Sequence, residues 1–151
     1  MTVNHLFPNP KPIIGVIHLQ ALPGAPLFNG DLQAIYDQAI AEAEIFNQYT
    51  DGIIIENFKD APFYPSRVPV ETIAAMSAIS REVVNRVKVP VGINVLRNDA
   101  SAAMAIATAV GAQFIRVNVH INAVVADQGI IEGKAYETLR LRAALQSKVL
   151  I

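Results

Sequence analysis

Three polar side chains alternate with apolar ones in the segment FIRVNVH, residues 114–120. Arg116, Asn118 and His120 occupy every second position, and successive side chains of a β-strand point to opposite faces. We therefore predict that these three side chains share one face of a strand, while the apolar residues between them pack against helices. A guanidinium, an amide and an imidazole on a common surface could carry general acid–base chemistry.

Further polar side chains stand at or near the ends of three other predicted strands. His18 ends the first strand, Glu56 is followed by Asn57 at the end of the second, and Asn94 lies within the third. Because parallel strands end at the same edge of a sheet, these groups should converge on one rim. The predicted catalytic set is His18, Glu56, Asn94, Arg116, Asn118 and His120.

General acid–base catalysis by His120 or Glu56, oriented by Asn or Arg side chains, is the chemistry that this set favours. Two imidazoles, His18 and His120, with a carboxylate from Glu56 or Asp127 would suit zinc or ferrous iron. Their spacing matches no specific ligand motif, so we predict no metal site, and the sequence leaves the cofactor undetermined. The serines lie in a loop or on predicted helices, so none sits on a nucleophile elbow.

Each candidate also has a purely structural interpretation. His18 could be a hydrogen-bonded core histidine, and Arg116 could form a buried ion pair with Glu56. Asn94 and Asn118 could satisfy each other or backbone groups. The convergence of several strands on one rim, rather than any single residue, favours a functional site.

Runs of apolar and β-branched residues bounded by Gly, Pro or polar turns predict the strands that carry this set. Segments 13–19, 52–56, 90–96 and 114–120 are predicted strands, and 148–151 is the predicted start of a fifth.

Helical periodicity fills the intervals between these strands. The first helix should begin after Asp31, which is its predicted N-cap, and the second should span residues 70–87. The third, 100–110, should be capped by Asp99 and ended by Gly111. The fourth, 134–146, should carry its apolar side chains on one side, namely Tyr136, Leu139 and Ala143.

Alternating strands and helices predict an α/β fold with a parallel sheet. Long connections follow the strands, whereas short ones follow the helices, as in a (β/α)8 barrel whose site lies at the C-terminal ends of its strands. Four units are half of such a barrel. We therefore predict an N-terminal arm (1–12) and a partial barrel (13–151) that belongs to a longer protein and is completed by the remaining half or by a homo-oligomer.

The long loops contain further candidates. Phe58, Phe63 and Tyr64 could cover a ligand or seat their loop on the protein. The segment 127–133 contains two glycines and suits a mobile lid, and the helix-start amides behind Gly133 could hold an anion.

Composition excludes several classes of protein. The net charge is −1 and the 12 Lys and Arg residues form no basic run, so we expect no nucleic-acid partner. The 151 residues contain no Cys, which excludes disulfides and thiolate metal sites. The first twelve residues have no apolar core of a signal peptide, and no apolar run approaches the ~18 residues of a spanning helix. We expect a cytoplasmic protein that meets a membrane, if at all, at its surface.

Four segments closely resemble one protein family, the BtpA family: GVIHLQALPGAP (15–26), DGIIIENFKDAPF (51–63), VPVGINVLRNDA (89–100), and FIRVNVH with ADQGIIEGKAYETLRLR (126–142). The resemblance starts near Lys11 and corresponds to the N-terminal half of the family. It implies a (β/α)8 barrel of about twice this length. It also implies a peripheral thylakoid factor in cyanobacteria, with photosystem I subunits or assembly machinery as partners. Some members of the family outside cyanobacteria are described as enzymes, so the resemblance does not decide between the two roles. The alternative, favoured by the polar rim, is an enzyme acting on a small metabolite, phosphorylated or not.

Overall fold

Four parallel strands in the order β1-β2-β3-β4 form the central sheet of the protein. The structure is a computed structural model that describes residues 3–151, with side chains from residue 5 onward. The first two residues of the predicted N-terminal arm lie outside the described residues. The sheet strands are β1 (Ile14–His18), β2 (Gly52–Glu56), β3 (Val91–Asn94) and β4 (Phe114–Ile115), and β4 also forms a parallel bridge to Leu150.

The helices alternate with these strands, so the predicted α/β architecture with a parallel sheet is confirmed. They are α1 (Val3–Leu6), α2 (Leu32–Tyr49), α3 (Val70–Arg86), α4 (Ala100–Val110) and α5 (Ala135–Ala144). Between β4 and α5 a separate antiparallel pair is formed by β5 (Ala123–Ala126) and β6 (Gly129–Glu132). Among residues 3–151, no helix is long and apolar enough to cross a membrane.

One face of the sheet packs against helices and forms the hydrophobic core. Helices α2 and α4 contact the strands directly, and α3 packs against both helices. Ile17, Ile55 and Ile93, which lie side by side on three neighbouring strands, are fully buried. They join Ala39 of α2 and Met76 of α3 in one cluster. Alternation along the strands thus sends every second side chain into this core.

The opposite face of the sheet is closed at the N-terminal ends of the strands by two aromatic rings. Phe7 and Phe114 meet edge to face, with ring centroids 5.6 Å apart. A side chain at Gly52 would collide with the ring of Phe7, and one at Gly92 would collide with the ring of Phe114. Glycine at these two positions therefore allows the rings to approach the backbone closely. Towards the C-terminal ends, the same face carries the polar side chains of the candidate site.

The predicted helix caps are confirmed. Asp31 accepts a hydrogen bond from the amide of Ala34 at 3.0 Å, and Asp99 accepts one from the amide of Ala102 at 2.8 Å. Gly111 ends α4 with a left-handed φ of 85°, a conformation in which a Cβ would be strained.

The prediction of a strand over residues 114–120 is wrong beyond Ile115. The neighbouring strand β3 ends at Asn94, not at residue 96. The last backbone bond between the two segments runs from the amide of Arg116 to the carbonyl of Ile93, and no ladder continues beside residues 117–120. The side chain of Asn98 takes the place of a strand partner, since it accepts from the amide of Val119 at 2.9 Å and donates to its carbonyl at 3.0 Å. The segment is therefore held in an irregular conformation.

Two further features predicted near the C-terminus can be located in the structure. The segment predicted to suit a mobile lid forms the turn of the β5–β6 hairpin, at Asp127 and Gln128, and strand β6, whose first residue, Gly129, has a φ of 98°. On α5 the predicted apolar stripe of Tyr136, Leu139 and Ala143 is exposed, whereas Thr138 is buried. The helix packs against α4. Leu141, rather than the predicted residues, packs against the core.

Candidate functional site

The side chains of three neighbouring strands meet at the C-terminal edge of the sheet. In the register of the sheet, His18 lies opposite Glu56, and Glu56 lies opposite Asn94. Arg116 follows directly after β4, and its amide donates to the carbonyl of Ile93 at 3.0 Å. Strand parity and register thus bring together four of the six predicted site residues. We call His18, Glu56, Asn94 and Arg116 the rim row.

Glu56 is the centre of the rim row. Its side chain is 5% exposed, and its Oε2 accepts hydrogen bonds from Arg116 Nη1 at 3.1 Å and from Asn94 Nδ2 at 2.5 Å. The other oxygen, Oε1, lies 3.6 Å from His18 Nε2. A buried carboxylate is costly unless it is paired and hydrogen-bonded, and here both conditions are met. The arrangement fixes the carboxylate in one orientation.

His18 is, like Arg116, a member of the rim row that solvent or a ligand can reach. Its side chain is 46% exposed, and its ring stacks on Phe58 with centroids 4.1 Å apart and an interplanar angle of 14°. Phe58 belongs to the loop after β2, and Lys59 Nζ lies 5.8 Å from the centroid of the Phe58 ring. An accessible imidazole whose Nε2 faces a fixed carboxylate has the geometry of a general acid or base.

Asn118 and His120 lie outside the rim row. No hydrogen bond or ion pair connects either side chain to Glu56 within the part of the chain that the structure describes. Asn118 Oδ1 and His120 Nδ1 are buried and have no hydrogen-bond partner. The carbonyl of His120 accepts from the amide of Ala135 at 3.1 Å, which ties this segment to the start of α5. These two polar atoms therefore have unused hydrogen-bonding capacity inside the protein.

Two further possibilities considered from the sequence, an anion site and a metal site, can be compared with the structure. Of the helix-start amides behind Gly133, that of Ala135 donates to the carbonyl of His120 at 3.1 Å, so this amide is not free to hold an anion. Over residues 3–151, no group of three or more His, Asp or Glu side chains is placed to hold a metal ion.

The loops around the rim are joined by Asn57, which is 1% exposed. Its side-chain amide accepts from the amide of Leu96 at 2.7 Å, donates to the Leu96 carbonyl at 3.4 Å and donates to Asp60 Oδ2 at 3.0 Å. It thereby continues the pairing of β2 with β3 past the ends of both strands. Periodicity placed Asn57 beside the site without revealing this role.

Sequence reasoning missed Asp60 as a candidate functional residue. Its Oδ1 accepts from the amide of Leu22 at 2.8 Å, and its Oδ2 accepts from Asn57. Burial raises the pKa of Asp60 above its usual 3.8, although these two hydrogen bonds lower it in part. The side chain lines a cavity of about 340 Å³ between the loops after β1, β2 and β3, which we call the loop cavity. The only sequence signal was one acidic residue between aromatic and proline residues.

Comparisons with known proteins confirm the resemblance seen in the sequence motifs. The sequence model of the BtpA family matches residues 9–151. The photosystem I biogenesis protein BtpA of Synechocystis is 48% identical over 152 residues, which cover 100% of this chain and 53% of that protein. An uncharacterised protein of Pyrococcus abyssi is 46% identical over 140 residues, 92% of this chain and 54% of that protein. An uncharacterised mitochondrial protein of Caenorhabditis elegans is 31% identical over 155 residues, 98% of this chain and 56% of that protein.

The chain thus spans about half the length of the curated relatives that it matches. No solved structure matches it.

Proposed function

Since this chain belongs to the BtpA family, we propose that it acts as a factor in the biogenesis of photosystem I reaction-centre proteins. The observation that carries this proposal is the 48% identity to the Synechocystis biogenesis protein over the whole of this chain. Its partners would be photosystem I subunits or their assembly machinery, met at the surface of the thylakoid membrane.

We propose that the functional protein folds as a closed (β/α)8 barrel. Three observations support it: four parallel strands in sequential order, helices on one face, and polar side chains collected at the C-terminal edge of the other face. Strand β1 forms one edge of the sheet. At the other edge, Leu150 forms a single bridge to Phe114. A second half of the same polypeptide, or a second copy of this chain, would cover both edges.

A chimera tests the role in photosystem I biogenesis. These 151 residues replace the aligned region of the Synechocystis relative in a strain that otherwise lacks that protein. We expect photosystem I reaction-centre proteins to accumulate as in the strain with its own protein, as measured by immunoblotting and by low-temperature fluorescence. A chimera that is present at normal abundance, yet leaves photosystem I at the level of the deletion strain, would contradict the proposal.

A second candidate function is an enzyme with general acid–base chemistry on a small metabolite, phosphorylated or not. The observation that favours it is the pairing of a buried, oriented carboxylate, Glu56, with an accessible imidazole, His18. In this proposal His18 Nδ1, the ring nitrogen that does not face Glu56, exchanges the proton with the substrate. Glu56 orients the ring, and Arg116 and Asn94 hold Glu56 in place. The buried polar atoms of Asn118 and His120 would contribute to substrate binding.

Two variants of the chimera separate the candidates. His18→Ala removes the proton-exchanging group, and the double change Asn118→Ala with His120→Ala removes the two unpartnered polar atoms. If photosystem I accumulates normally in both variants, the site is not needed for assembly, as the enzyme proposal expects. If both variants fold and accumulation fails, the site is part of the assembly function. Circular dichroism of the purified chimeras shows whether they are folded.

A further inference from the structure

The loop cavity lies beside the rim but is lined by none of the six predicted site residues. The loop after β1 contributes Gly24, the loop after β2 contributes Asn57 and Asp60, and Leu96 follows β3. Its volume of about 340 Å³ falls in the range of small-molecule pockets, roughly 300–1,000 Å³. The cavity is therefore large enough for a small organic molecule.

Asp60 gives the cavity a negative charge. No Lys, Arg or His forms an ion pair with Asp60 in residues 3–151. Each of its two oxygens accepts one hydrogen bond and retains capacity for a second. Burial raises the pKa of Asp60, so the ionised form is under-solvated. A positively charged ligand would supply the stabilisation that this carboxylate lacks.

The cavity wall contains few backbone donors, and its two hydroxyls, those of Tyr64 and Thr72, can accept as well as donate. Prolines have no amide hydrogen, and four of them line the cavity together with two aromatic rings. These residues are Pro26, Pro62, Pro65, Pro69, Phe63 and Tyr64. The side-chain amide of Asn57, the obvious donor, is already bonded to Asp60 and to the Leu96 carbonyl. A Cβ on Gly24 would come within 2.9 Å of Glu71 Oε1, so a second carboxylate lies close to the wall.

We propose that the loop cavity is a binding site for a primary amine with an apolar or aromatic body. Its ammonium group donates to Asp60, and its body lies against the prolines and the rings of Phe63 and Tyr64, which also attract a cation through their π faces. An anionic ligand is disfavoured, because Asp60 and Glu71 would repel it. This site is independent of the function proposed for the rim row.

Three probes that share one body and differ in charge test the class of ligand. Phenethylamine, 2-phenylethanol and 3-phenylpropionate are titrated into the full chain, and amide NMR signals are followed. We expect saturable shifts at Leu22, Gly24 and Thr72 with phenethylamine, weaker binding of the alcohol and no binding of the carboxylate. Equal affinity for phenethylamine and 3-phenylpropionate, or no saturable shift with phenethylamine, would overturn the proposal.

Asp60→Asn tests the anchor, with Asp37→Asn on the exposed side of α2 as the matched control. We expect the dissociation constant of phenethylamine to rise about tenfold or more in Asp60→Asn, because a charge-assisted hydrogen bond is lost, and to stay unchanged in the control. Tyr64→Ala, at a ring that is 56% exposed, should weaken binding about twofold to fivefold without unfolding the protein. An unchanged dissociation constant in a folded Asp60→Asn variant contradicts the proposal; if that variant does not fold, an unchanged constant in Tyr64→Ala does so.

Discussion

The guanidinium of Arg116 lies 3.1 Å from a carboxylate oxygen of Glu56, which precedes it by 60 residues in the chain. Strand β3 runs between the two strands concerned, so the ion pair reaches across it. Asn94, at the end of β3, donates to the same carboxylate oxygen of Glu56. Three successive strands are thereby tied together at the edge where the polar side chains collect.

This bridge predicts a coupling that a double-mutant cycle can measure. Arg116→Gln leaves Glu56 buried without its cation, and Glu56→Gln leaves Arg116 without its anion. Because Arg116 is 53% exposed, solvent weakens the pair, and we expect a coupling of about 1 kcal/mol in the free energy of unfolding. Urea unfolding of the two single variants and the double variant gives this value. Strict additivity of the two changes would show that the pair adds nothing to stability.

The two aspartate caps should differ in their contribution to stability. Asp31 is exposed and caps only α2, whereas Asp99 is 7% exposed, caps α4 and accepts a second bond from the amide of Val68 at 2.9 Å. We expect Asp31→Ala to cost about 1 kcal/mol and Asp99→Ala about 2 kcal/mol or more in the free energy of unfolding. Thermal and urea unfolding measure both. An equal cost for the two variants would mean that the bond to Val68 is energetically neutral.

Asp99→Asn is the matched control for this comparison. It keeps an oxygen acceptor at the cap, so it should recover most of the stability lost in Asp99→Ala.

Local patterns in the sequence were sufficient to predict the core of the fold. Alternation placed Glu56 and Asn94 on the face opposite the buried Ile55 and Ile93, because burial on one side of a strand leaves a strong signal. The cap at Asp99 was also predictable, since it depends on the amide of Ala102, only three positions away.

Long-range partners set the limit of what periodicity could predict. Alternation continues from Phe114 to His120, yet β3 extends only to Asn94, one residue past the partner of Ile115, so the pairing cannot continue to His120. The loop cavity depends on Asn57 bonding to Leu96, which is 39 residues away. The residues that surround Asn57 in the sequence do not indicate such a distant partner. The orientation of α5 was also not predictable. Few of its side chains are buried, so its apolar stripe did not indicate which side faces the core.

Close packing at Gly92 predicts a strong effect of a single methyl group. A Cβ at this position would collide with the ring of Phe114, so we expect Gly92→Ala to cost about 1–3 kcal/mol in the free energy of unfolding. The cost should be smaller when the same change is made in a Phe114→Leu background, which removes the ring. The comparison requires four urea unfolding curves. A cost that is the same in both backgrounds would locate the strain elsewhere.

The raised pKa of Asp60 predicts a pH-dependent effect of removing its carboxyl group. Between the unfolded value of about 3.8 and the higher pKa of the folded state, the folded protein binds more protons at this residue than the unfolded chain does. Asp60 therefore lowers the free energy of unfolding as pH rises through this window. Relative to the unchanged protein, Asp60→Asn should gain stability with rising pH and level off above the folded pKa. Asp60→Ala should show the same slope with a different offset, because the slope depends only on the lost titration. Urea unfolding from about pH 3.5 to pH 7 measures both, and a difference that is flat or falls with pH would refute this account of Asp60.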